Sequence, residues 1–305
     1  MTNNNIFGEL IDSKPLALNI VVDDYYFSKH RILNNICLNL EGNILGSIKE
    51  LSWHYDKIII SGSRIDRIIR VLKFLGCEKK YLSVDIDGGS ITEFDQATRK
   101  MFSFHNVKQL RCCYFLRDVK NFDFRALRNK LKKLKCDKVL VIYITPKEIH
   151  SQTILTNFLI KNEFEGFDIN ILPIPQNVKD LGKYNKKLLK NFFINLITIE
   201  AKKHINFIYD FPCGSAINEK FDGFCPGYFT MVLKPNREFS FCKFSEVEFG
   251  RIGESIRRIE TRRKKFFKNL HIKNCKLCDL YNRCGGGCVV DISIKTQRNL
   301  MCIKK

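Results

Sequence analysis

The chain has 305 residues, of which 45% are hydrophobic, and its 52 Lys and Arg against 32 Asp and Glu give a formal charge of +20. That apolar content belongs to a packed globular protein and excludes a disordered one. No run of about 18 apolar residues exists, which excludes a membrane-spanning helix, and the opening MTNNNIFGELIDSK lacks the basic-then-apolar pattern of an export signal.

In chain order, apolar runs and helical stripes alternate. LALNIVV (16–22) reads as a buried strand ended by Asp23-Asp24, and 28–40 as a helix. KIIIS (57–61) is a second strand, closed by Gly62. Ile65, Ile68, Ile69, Leu72 and Leu75 then keep helical spacing, with Gly76 as a stop. YLSVDID (81–87) is a third strand, EFDQATRKMFSF (93–104) a helix, and QLRCCYF (109–115) a fourth strand. Phe124, Leu127, Leu131 and Leu134 form the stripe of an amphipathic helix over 121–135. KVLVIYI (138–144) is a fifth strand, and Pro146 suits the first turn of a helix reaching about residue 162. FDINILPI (167–174) is a sixth strand, 182–203 the longest helix, and INFIYDF (205–211) a last strand. Such alternation predicts parallel strands with helical crossovers, either an open barrel or a doubly wound sheet.

Beyond residue 205 the composition changes. CKLCDLYNRCGGGC places Cys275, Cys278, Cys284 and Cys288 within fourteen residues, with Gly285, Gly286 and Gly287 before the last. Thiolates are soft ligands for iron–sulfur clusters or zinc, and glycines let the backbone wrap closely around such a site. Zinc ribbons pair two C-x2-C units across about 15 to 20 residues. Here a single C-x2-C is followed by spacings of five and three. Cys213, Cys225, Cys242 and Cys302 bring the total in the last third of the chain to eight, the complement of two [4Fe–4S] clusters. The remaining five of the 13 cysteines, Cys37, Cys77, Cys112, Cys113 and Cys136, are scattered and read as small core residues. So many cysteines without an export signal point to the cytoplasm and to metal rather than disulfides.

With these residues in view, the stretch resembles the SPASM domain that follows the barrel in many radical SAM enzymes that modify peptides. The resemblance covers residues 213–302, and all eight expected positions hold Cys. It implies one cluster on Cys213, Cys225, Cys242 and Cys288 and a second on Cys275, Cys278, Cys284 and Cys302. CPGYFTMVLKPNREFSFCKF is similar to the family's hairpin between ligands, turning at Lys234 to Glu238. FGRIGES is similar to its stretch before a short helix. The implied fold is a partial (β/α)6 barrel over residues 1–205 followed by a Cys-rich domain over 206–305.

The barrel departs from that family. Radical SAM enzymes carry C-x3-C-x2-C in the loop after the first strand, holding the cluster that binds S-adenosylmethionine. Here DDYYFSKHRILNNIC contains only Cys37, and Ser61-Gly62-Ser63-Arg64 stands where Gly-Gly-Glu helps hold the methionine amine. S-adenosylmethionine binding is therefore not expected. Asp85 and Asp87 end the third strand, where barrel sites form, or else serve there as caps. The six histidines show no metal-ligand spacing.

IRRIETRRKKFFK (256–268) is the most basic segment. Arg257, Arg258, Arg262, Arg263, Lys264, Lys265 and Lys268 cover much of a helix, a solvated face or a docking surface for a precursor peptide or a partner maturation enzyme. The expected function is maturation of a ribosomally made peptide, as a scaffold, electron-transfer or substrate-binding component, like the grasp-with-spasm proteins. One alternative is an active radical SAM-type enzyme with an unrecognised cofactor site. The other is a zinc-stabilised basic nucleic-acid-binding module, which has charge in its favour but no nucleic-acid motif.

Overall fold

The computed structural model describes residues 15–23, 38–76, 80–174, 185–208, 225–270 and 288–292. The apolar runs become β1 (Ala17–Val21), β2 (Lys57–Gly62), β3 (Tyr81–Asp87), β4 (Val107–Phe115), β5 (Asp137–Ile144), β6 (Asp168–Pro173) and the short β7 (Phe207–Ile208). Each pairs in parallel with the next, so the order across the sheet repeats the order along the chain. A doubly wound sheet reverses its strand order at a switch point. This run has no reversal, and its crossovers wind one way as in a barrel. The expected barrel-like α/β architecture is thus the observed one.

Both strand faces are buried, which is why the strands read as continuous apolar runs rather than alternating ones. Leu18, Ile60, Val84, Leu110, Cys112 and Ile142 face the helical layer in one large core. Cys113, Phe115, Val139, Val141, Tyr143 and Ile174 form a smaller core on the opposite, inner face.

The helical layer comprises α1 (Gly42–Ser52), α2 (Ile65–Leu75), α3 (Gln96–Phe104), α4 (Leu116–Val119), α5 (Phe124–Leu131), α6 (Gln152–Lys161) and α7 (Lys186–Lys203). Side-chain caps set several starts: Asp95 accepts from the Thr98 amide, Asp123 from Ala126 and Asn185 from Leu188. α2 stops at Gly76, whose φ of 77° suits glycine.

Helix α1 corrects the sequence reading. Its stripe of Ile44, Leu45 and Ile48 is buried, but Gly42 and Gly46 lower its intrinsic propensity. The helix expected over 28–40 falls mostly outside the described residues, and its described end, 38–40, is not helical. α6 also begins later than Pro146 suggested, after a 3₁₀ turn at Glu148–Ser151.

The Cys-rich part extends the same sheet. β8 (Thr230–Leu233) lies parallel to β1, with Ala17 opposite Thr230, and β9 (Glu238–Ser240) returns antiparallel through the expected turn. Arg237 adopts φ 70° in that turn. β10 (Gly250–Arg251) completes a ten-stranded sheet in the order β10-β9-β8-β1 to β7. α8 (Ile256–Asn269) and the short α9 (Val289–Ile292) follow.

Candidate metal centre and barrel interior

Cys225 opens a 3₁₀ turn, Pro226–Tyr228, and its carbonyl accepts from the Tyr228 amide at 3.0 Å. Gly227 is needed there, since a Cβ would lie 2.9 Å from the Phe241 ring and 3.5 Å from the Cys225 sulfur. Cys242 follows β9, and its Sγ accepts from the Phe244 amide at 3.5 Å. Burial, followed by the proximity of Cys225, pushes the Cys242 thiol up to about 12. Cys288 is buried at the head of α9.

Cys225 and Cys288 are buried members of the large core, and half-buried Cys242 packs against it. Of the four expected ligands of the first set, Cys225 thus lies near Cys242, 17 positions further along the chain. Cys213, Cys275, Cys278, Cys284 and Cys302 lie outside the described residues. Among the described residues, no three of His, Cys, Asp and Glu are grouped closely enough to hold a metal ion. The donor set still fits an iron–sulfur group. Its sulfurs are soft ligands, and a bound cation inverts the effect of burial by deprotonating a coordinating thiol.

The inner face of the sheet is polar where the strands end. Ser61 Oγ donates to Asn19 Oδ1 at 2.8 Å, and Ser83 Oγ to Gln109 Oε1 at 3.3 Å. Deeper along β3, the Asp85 carboxylate sits 3.8 Å from Arg111 Nε on β4 and 3.9 Å from Lys243 Nζ. Lys243 also donates to the Tyr143 hydroxyl on β5 at 2.8 Å, and that hydroxyl lies 3.8 Å from the Cys113 sulfur. Burial, then Cys113 and Asp85, hold the Tyr143 phenol well above its ordinary range. Lys243 follows Cys242 directly, and Phe244 packs into the inner core, 6.0 Å from the Tyr143 ring. The Cys-rich part therefore inserts a cation and an aromatic ring into the barrel.

Asp85 is an interior anion rather than a cap. Asp87 precedes a 3₁₀ turn and makes no side-chain cap. Sequence reasoning pointed to Asp85 but missed Arg111, Tyr143 and Lys243. Strand alternation places Asp85, Arg111 and Tyr143 on one face, but nothing in the sequence brings Lys243 across to them.

At the end of β1, Asp23 reaches the turn after β2. Its carboxylate accepts from the amides of Ser63, at 2.9 Å, and Arg64, at 3.0 Å, and from the Ser63 hydroxyl at 3.2 Å. Gly62 permits this contact, since a Cβ would fall 2.4 Å from Val22 and 2.8 Å from the Asp23 carboxylate. This is the turn where the resemblance places Gly-Gly-Glu.

Helix α8 presents Arg257, Arg258, Arg262, Lys265 and Lys268 to solvent. Arg262 pairs with Glu254. Arg263, expected on the basic face, is instead fully buried beside Ile259 and Phe267, because the helix turns positions 259, 263 and 267 together toward the core.

No family model and no curated protein matches the sequence. Solved structures do. anSMEcpe, solved with bound AdoMet and a Cp18Cys peptide, matches with a TM-score of 0.66 at 14% identity, over 95% of this chain and 94% of that one. SuiB from Streptococcus suis, bound to S-adenosylmethionine, matches with a TM-score of 0.61 at 14% identity, over 98% and 78%. The fold of this chain is that of anSMEcpe and SuiB. At this identity the likeness establishes architecture. It runs nearly the full length of this chain.

Proposed function

We propose that the chain is an iron–sulfur protein of peptide maturation, in which residues 206–305 form a SPASM-like domain and residues 1–205 a barrel that serves as a scaffold. Cys213, Cys225, Cys242 and Cys288 would hold one [4Fe–4S] cluster, and Cys275, Cys278, Cys284 and Cys302 the other. When bound, such clusters supply buried one-electron sites. The observation that carries this reading is the closeness of Cys225 to Cys242, in a chain with the fold of a structure solved with bound peptide. Lys243 and Phe244 then seat the first cluster's unit in the barrel through Asp85 and Tyr143.

The exposed basic face of α8 is the surface proposed for an acidic precursor peptide or a partner enzyme. Reversing Arg257, Arg258 and Lys265 to Glu should weaken binding of an acidic peptide at least tenfold and flatten its salt dependence, while iron content stays constant, because exposed charges act over about 8 to 10 Å in physiological salt. Unchanged affinity in a titration calorimeter would leave α8 a plain solvated face.

The second reading, an active radical SAM-type enzyme, is favoured by the AdoMet bound in anSMEcpe and by the S-adenosylmethionine in SuiB. Against it stand the donor set after β1, where Cys37 is the single cysteine, and the Asp23 carboxylate on the Ser63 and Arg64 amides. These residues do not fit a cluster with an open iron beside the cofactor, which needs three thiolates. Reduced, iron-replete protein incubated with S-adenosylmethionine should form no 5′-deoxyadenosine on chromatography. Multiple turnovers of that product would establish the enzyme and overturn the scaffold reading.

A further inference from the structure

Among the described residues, six large hydrophobic side chains stand exposed, and four of them gather at one end of the barrel. Leu16 precedes β1, Trp53 follows α1 and leads into β2, Tyr81 opens β3, and Phe104 ends α3 before β4. Strands β1 to β4 are neighbours and run parallel, so their starts share one rim. Backbone bonds tie this rim together. The Lys57 amide donates to the Leu16 carbonyl and the Tyr81 amide to the Asp56 carbonyl, each at 3.2 Å. His105 Nδ1 lies 3.4 Å from the Gly76 carbonyl and sets the turn after Phe104 against the end of α2. Trp53 is 63% and Phe104 67% exposed. Apolar side chains gathered on one surface mark an interaction site, whereas scattered single ones do not.

The charges around these side chains indicate the partner. Lys57 lies opposite Tyr81 across the β2–β3 pair, its ammonium 4.8 Å from the centre of the ring, and Lys80 precedes Tyr81 in the chain. Exposed Lys108 stands beyond Phe104 near the start of β4. Exposed Asp56 lies among these lysines, and the Asp137 carboxylate is close to the Tyr81 phenol, which burial and then this charge raise above its ordinary range. A uniform phosphate surface, lipid or nucleic acid, would meet the two carboxylates as like charges. A second copy docking through the same face would bring its lysines against these. An acidic polypeptide suits the pattern, with its carboxylates on the lysines and its apolar side chains on the aromatic rings. We propose that the rim of Leu16, Trp53, Tyr81 and Phe104 is a docking surface for a polypeptide that carries both acidic and apolar side chains. This surface rests on neither the basic face of α8 nor the cysteines.

The test follows the fluorescence anisotropy of a labelled synthetic peptide of Glu-Leu-Gly-Phe repeats titrated with the full chain, with circular dichroism as the check on folding. Trp53→Ala combined with Phe104→Ala should weaken binding about tenfold or more, the effect of removing aromatic anchors from an interface. The same variant should leave the weaker binding of an all-Glu peptide, which offers no apolar side chain, unchanged. Lys108→Glu should weaken binding of the Glu-Leu-Gly-Phe peptide and lessen its dependence on salt. Unchanged affinity in the folded double variant overturns the proposal, as does a wild-type chain that does not bind this peptide. Should the double variant fail to fold, Trp53→Ala alone and Lys108→Glu decide by the same criterion. Binding of phosphatidylserine vesicles or oligothymidine that the double variant loses, in a chain that ignores the peptide, overturns the polypeptide assignment. So does a concentration-dependent dimer in sedimentation that the double variant abolishes.

Discussion

Asp85→Ala will destabilise the folded chain by about 3 to 5 kcal/mol, the range for removing one partner from a buried charge set. The carboxylate is 4% exposed, and the cations it serves, Arg111 and Lys243, are 18% and 11% exposed. Solvent therefore cannot replace it, whereas exposed ion pairs are worth about 0 to 1 kcal/mol. At 3.8 and 3.9 Å the contacts are long for hydrogen bonds. The interaction is mainly charge with charge in a medium of low polarity, and its loss leaves two buried cations facing each other. Lys243→Met in the Asp85→Ala background should restore part of the stability by removing one of them, giving a coupling energy between the sites. Denaturant unfolding of the four proteins of this cycle measures it. Destabilisation below about 1 kcal/mol, with additive effects, would show the cluster to be solvated and Lys243 not to anchor the Cys-rich part in the barrel.

The barrel was legible because its signals are local. A strand buried on both faces needs an apolar run, and KVLVIYI and YLSVDID have nothing else to do. Helix α2 combined a clean stripe with a stop at Gly76, and both held. Where local signals were weak, reading failed. α1 carries two glycines, and its helix depends on burying Ile44, Leu45 and Ile48 against the sheet, a tertiary gain that propensity does not register. Strand order was equally out of reach, since the same alternation serves a barrel or a doubly wound sheet and only pairing separates them.

In the candidate site the cysteines stand out in the sequence by their spacing. The barrel interior does not. Lys243 reaches Asp85 across 158 positions, and a lysine in a basic chain of +20 looks like solvated surface. Arg263 misled in the same way: by composition it belonged to a basic face, while its helical phase with Ile259 and Phe267 placed it inside. Phase was the available signal, outweighed by the six other cations around it.

Cys242→Ala will reduce bound iron by about half, from about eight atoms per chain to about four, as expected when one of two four-iron clusters is lost. Cys302→Ala should do the same through the other set, and the double variant should hold almost none. The effect on stability should be large for Cys242, because it packs against the core that holds Phe241, Phe249 and Phe267 and lies beside Cys225. Ligand binding there is in effect folding energy. Without metal, the buried Cys242 thiol remains protonated, its titration pushed up to about 12 by burial and by Cys225. With metal, the thiolates are held as anions and the same burial shields the cluster from water. Iron and sulfide analysis of anaerobic protein, with limited proteolysis of the wild type and each variant, reads both consequences. The Cys242→Ala protein should be cleaved faster in the segment after β9 while the barrel strands stay protected. Stoichiometric zinc without iron in the wild type would remove the cluster assignment and leave a zinc-stabilised domain on the same fold. An equal loss of all iron from either single variant would show instead that the two sets are one cooperative site, and that the partition of the eight cysteines into separate clusters is wrong.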